Sequence, residues 1–210
     1  MGTIVMPFAI DMEKVKSVFG SKNKTLHQQI LQSRIFEKYD EKYSFKKELK
    51  DVIFNYVPEN ERIVLAPKLF GLIKGNDGSG MEGEWNDYGY ALLCICGNIG
   101  KCLSENEGTL KYNGTIERLN ELLKQNESGL NFERVVTYRK LFDTPYEEED
   151  ICSNYFDKNE IKEMLAELVI AKSKADQGDV ELVRLIDRME RGFKYCIKYD
   201  CEWVSFSYDV

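Results

Sequence analysis

The sequence predicts an α+β protein: a helix-rich single domain, residues 1–210, with a small sheet formed partly by strands at its N- and C-terminal ends. Three observations predict it. Residues 3–10 are a β-branched, apolar run. Residues 203–208 alternate, with Val204, Phe206 and Tyr208 on one face and Trp203, Ser205 and Ser207 on the other. Between these ends, apolar residues recur mainly at helical spacing.

Taken in order, residues 3–10 read as a strand, with Pro7 implying an edge or irregular position. Asp11 caps a short helix whose apolar face is Met12, Val15, Val18 and Phe19, and Gly20 stops it. A second helix is predicted over residues 24–39. Ser44 caps a third, where Phe45, Leu49, Val52, Ile53 and Tyr56 make a stripe. Pro67 opens a helix ending at Gly75, and a loop of four glycines runs to Gly83. Residues 85–103, which hold Trp85 and three cysteines, read as the central core helix. Residues 115–125 are amphipathic through Ile116, Leu119, Leu122 and Leu123. Residues 126–156 read as extended or irregular, with a strand near 134–142. Asp157 and Glu160 form a capping box ahead of Ile161, Met164, Leu165, Leu168 and Val169. The last helix covers about 179–199, with Leu182, Val183, Ile186, Met189, Phe193, Cys196 and Ile197 inward.

The chain has 29 basic and 36 acidic residues among 210, a formal net charge of −7. That balance repels phosphate backbones, so no nucleic-acid partner is expected. Lys42–Lys50 is the nearest approach to a basic patch, and Glu48 interrupts it. An acidic surface suits a basic protein partner or a small molecule. No run reaches the roughly 18 apolar residues of a membrane helix, and residues 2–10 lack the basic flank of a secretory leader. A cytoplasmic location follows, with no membrane partner and with the six cysteines reduced.

No catalytic constellation emerges. Cys94 and Cys96 point about 200° apart on a helix, so they cannot easily share a metal. Cys94 and Cys102 would share a face, and a thiol or zinc site with Cys196 and Cys201 is the weakest of three readings. No metal or other cofactor is expected. The glycine-rich loop lacks the Lys-Ser/Thr of a phosphate cradle, and Asp77, Glu82, Glu84 and Asp87 would repel an anion. The sole histidine, His27, sits among surface-like residues, which disfavours a nucleophilic triad.

Two stretches carry a resemblance. The opening Met6-Pro-Phe-Ala-Ile-Asp-Met-Glu-Lys-Val-Lys-Ser-Val-Phe-Gly-Ser21 and the central Asp87-Tyr-Gly-Tyr-Ala-Leu-Leu-Cys-Ile-Cys96 resemble a group of small acidic bacterial proteins of unknown function, common in actinobacteria. The last helix running into Trp203-Val-Ser-Phe206 resembles their ends. More loosely, the chain is similar to another small bacterial family of unknown function with a helix-rich α+β fold. The resemblance implies a bacterial setting and an α+β fold, and brings no catalytic residues.

The leading expectation is a non-enzymatic, acidic protein-binding module, immunity-like by analogy. The alternative is a small-molecule-binding protein or carboxylate-dependent hydrolase with a pocket near Glu84, Trp85, Asp87 and Tyr88. The acidic run Glu147, Glu148, Glu149 and Asp150 is the second candidate binding segment, read as a docking patch.

Overall fold

The run Thr3–Ile10 forms strand β1 in the computed structural model, which describes residues 3–56, 84–104, 110–112, 114–125, 132 and 151–209. Strand β5 (Glu202–Asp209) pairs antiparallel with β1 along its whole length, from Thr3 opposite Asp209 to Ile10 opposite Glu202. Strand β4 (Cys152–Phe156) lies on the other side of β5. Two short strands, β2 (Lys101–Cys102) and β3 (Leu110–Tyr112), share the remaining edge of β1. The order is β2-β1-β5-β4, with β3 also on β1. The fold is α+β and both terminal strands belong to the sheet, as the sequence predicts.

Of the two positions Pro7 implies, edge or irregular, the structure has the irregular one. β1 is not an edge strand, because it has neighbours on both sides. A strand residue points its N–H and C=O the same way. The Pro7 carbonyl accepts from Leu103 N at 2.9 Å, so its missing donor faces the β2/β3 side. There it falls between the β2 rungs at Phe8 and Ala9 and the β3 rungs at Thr3 to Val5, where no ladder bond is lost.

The described residues divide into two compact units, one holding residues 13–99 and the other holding the sheet with the helices beyond residue 100. In the first, α1 (Met12–Lys16) leads into a loop closed by Gly20 at φ +66°. The Gly20 and Lys22 amides each donate at 2.9 Å, to the carbonyls of Val52 and Ile53. Those carbonyls belong to a π-helical turn, Asp51–Asn55, that continues α4 (Lys46–Lys50).

The predicted helix over 24–39 is two helices, α2 (Lys24–Leu31) and α3 (Arg34–Tyr43). Ser33 breaks it: its Oγ donates to Ile30 O at 2.7 Å and accepts from Phe36 N at 3.2 Å. Ser44 does not cap α4. It sits at φ +56° as the C-cap of α3. The next helix, α5 (Glu84–Ile99), stops short of the predicted Leu103, because the chain turns at Gly100 to add β2 to the sheet. From Tyr90 to Cys96 every residue is fully buried, so α5 is a core helix without a polar face there. Tyr90 stacks on Tyr39 and Phe45, with ring centroids 5.6 and 5.9 Å away.

In the other unit, α6 (Thr115–Gln125), α7 (Lys158–Lys174) and α8 (Val180–Lys198) pack with one face of the sheet around Val5, Ala9, Phe156, Phe193 and Trp203. The capping box forms as predicted: Asp157 Oδ1 accepts from Asn159 N and Glu160 N, and the Glu160 carboxylate accepts from Asp157 N. The buried stripe of α7 is Ile161, Met164, Leu168 and Ala171, whereas Val169, expected inward, is 49% exposed. A single residue's turn, 100°, separates it from Leu168 and carries it past the core edge. Ile197 of α8 is likewise exposed, while Leu185 joins the core. Gly192 lets the helix approach Trp203 so closely that an added Cβ would lie 2.4 Å from the ring carbon Cζ3.

The predicted helix at 67–75, the glycine-rich loop and the strand near 134–142 lie outside the described residues.

Candidate functional site

The two expected binding segments are placed only in part. Glu84, Trp85, Asp87 and Tyr88 fall within the first two turns of α5, and Tyr88 is half-buried. Glu147, Glu148, Glu149 and Asp150 lie outside the described residues.

All six cysteines fall among the described residues, as free thiols. Cys94 and Cys96 are fully buried in α5, and burial pushes both thiols far above their ordinary range. Cys196, buried in α8, is pushed up to about 12, first by burial and then by Cys201 and Glu202 nearby. A thiol held protonated is a poor nucleophile. The expectation that Cys94 and Cys102 share a helix face fails, because α5 ends at Ile99 and Cys102 is on β2. Among the described residues, no group of three or more His, Cys, Asp or Glu side chains could hold a metal ion.

His27, expected among surface-like residues, is half-buried on α2 with its ring edge-on to Phe54 at 5.2 Å. Burial lowers its pKa, with Lys50 and Lys46 adding to the effect, so the ring is neutral at pH 7. Its Nε2 is buried and has no hydrogen-bond partner among the described residues.

The register of the sheet assembles a polar row that the sequence does not announce. Pro7, Ser205 and Asn154 lie side by side, as do Val5, Ser207 and Cys152, and Ala9, Trp203 and Phe156. Period-2 alternation puts all nine on one face, the one carrying Trp203. Ser205, Ser207 and Asn154 are each 5% exposed or less. Asn154 Oδ1 accepts from the next amide, Tyr155 N, at 2.7 Å. Asn154 Nδ2 and Trp203 Nε1 are both buried donors with no partner among the described residues. An unmet buried donor costs about 1–3 kcal/mol, so this row is suited to a hydrogen-bond acceptor, a carbonyl or carboxylate oxygen or a bridging water. The one available signal was Ser205 and Ser207 on the same strand face as Trp203. Asn154 could not be found without knowing that residues 152–156 are a strand.

No curated protein and no solved structure matches the chain. A family profile matches residues 1–208, nearly the whole sequence. The chain therefore belongs to the family described as a domain of unknown function, DUF7691.

Proposed function

We propose that this chain is a non-enzymatic protein-binding module of the bacterial cytoplasm that takes a basic partner, in the manner of an immunity protein. The observation that carries the reading is the charge: 36 acids against 29 bases, a net −7. Supporting it, acids such as Glu37, Glu41, Glu117, Glu121 and Glu163 occupy exposed helix positions, where they steer association at long range. The chemistry of the described side chains also favours binding over catalysis. The buried thiols are protonated, and the one imidazole is neutral with no hydroxyl or thiol among the described residues hydrogen-bonded to its Nε2.

The test is affinity capture from bacterial lysate with the full chain as bait, at low and at high salt. A basic protein retained at low salt and released at high salt is the expected result. Absence of any salt-sensitive partner would count decisively against this function.

A further inference from the structure

The solvent face of α8 has a charge pattern opposite to that of the whole chain. Arg184, Arg188, Arg191, Tyr195 and Lys198 fall at i, i+4, i+7, i+11 and i+14, which aligns them on one face over about 21 Å. The four cations are exposed and Tyr195 is half-buried. They lie opposite Leu182, Ile186, Met189 and Phe193, the side packed into the core.

Three acids near this row pair with cations outside it. Asp187 pairs with Lys172 at 2.8 Å, and Glu181 with Arg118 at 3.4 Å. Glu190 accepts from Lys172 and Lys194. Arg184 and Arg188 form no ion pair among the described residues, although the chain carries 36 acids. Near the end of the row, Lys198 Nζ stands 5.1 Å from the Tyr199 ring, which in turn lies 4.4 Å from that of Tyr195.

We propose that this row docks an acidic segment of a partner protein. Guanidinium groups take carboxylates in bidentate fashion, and they lose less hydration than ammonium groups on contact. The row is one side chain wide and is bordered by Glu181 and Asp187. That width fits a single file of carboxylates, whereas a nucleic-acid duplex presents two phosphate strands. The net charge of −7 opposes an extended polyanion, but screening within about 8–10 Å lets a short acidic segment sense the row alone. This row includes none of the exposed acids that would attract a basic partner.

Fluorescence anisotropy with the full chain tests the proposal. The probe is a labelled peptide with glutamates at helical i, i+4, i+7 spacing. A glutamine version of the peptide and a DNA duplex are the comparators. The acidic peptide should bind in a salt-sensitive way, and the double variant Arg184→Glu, Arg188→Glu should weaken it by about tenfold or more. The milder Arg184→Gln, Arg188→Gln pair should weaken it less. Capture of a basic partner should be unchanged in both. Equal binding of the glutamine peptide, unchanged binding by the reversed variant, or tighter binding of the duplex would each overturn the proposal. So would self-association of the chain that the reversed variant abolishes, since a second copy would then be the occupant.

Discussion

At Gly192 a hydrogen stands where any other residue would put a carbon 2.4 Å from Trp203 Cζ3. Nothing in the sequence marks this glycine, which sits mid-helix at a cost of about 1 kcal/mol relative to alanine. Its use is the close passage of α8 over the indole ring. Gly192→Ala should therefore destabilise the protein by about 1–3 kcal/mol in spite of the better helix propensity, because overpacking outweighs it. A urea titration checks this: the midpoint falls at unchanged slope, and a rise in midpoint would contradict the packing argument. Gly20 is the contrasting case. The sequence marks it as a helix stop, and the structure adds that its φ is +66° and that a Cβ would stand 2.9 Å from Tyr56 O. Gly20 in the opening stretch is thus a backbone requirement.

Helices α7 and α8 are tied by charge as well as by apolar packing. Glu190, 8% exposed, takes hydrogen bonds from Lys172 and Lys194, and the Lys172 bond is the chief cause holding its carboxyl below the usual range. A carboxyl lowered in the folded state stabilises above its unfolded pKa, near 4.3, and loses that contribution as pH falls through the folded value. Lys172, hydrogen-bonded to Asp187 and Glu190, is pushed up to about 12, so its share is lost only as pH rises through that value. Glu190→Gln should cost about 1–2 kcal/mol at neutral pH. The deficit should shrink toward zero below about pH 4, read as urea midpoints across pH. A deficit independent of pH would mean that shape rather than charge matters at this position.

Legibility followed the length of each element. Residues 115–125 and the capping box at Asp157 carry long, single-period signals, and their helices form where the sequence places them. The two-residue β2, the three-residue β3 and the five-residue β4 were not legible, because pairing with β1 and β5 defines them, not their own pattern. The break at Ser33 was hidden for a related reason. Its hydroxyl serves both helices at once, and the apolar spacing continues across it. The polar row on the sheet inherits the same difficulty, since Asn154 comes from β4. The basic row on α8 is legible in the sequence at i, i+4 and i+7, against a net charge of −7.

At the scale of the whole chain, the sequence reads as one domain over residues 1–210, while the described residues between 13 and 99 form a compact unit of their own. β1 precedes that unit and β2 follows it, so loss of the sheet releases both of its ends. Calorimetric unfolding is expected as a single transition with equal calorimetric and van't Hoff enthalpies. Two resolved transitions would show two domains instead. The rung between Ala9 and Lys101 has a consequence for the order of folding. Viewed as a thread, β1 and β2 are a hairpin whose connection runs from residue 11 to residue 100. Closing so long a loop costs roughly 2–3 kcal/mol more entropy than a tight turn of a few residues. Two residues of ladder cannot offset that from an open coil. The rung therefore depends on the chain between residues 11 and 100 bringing its own ends together, so this two-residue strand reports on the order of the segment it brackets.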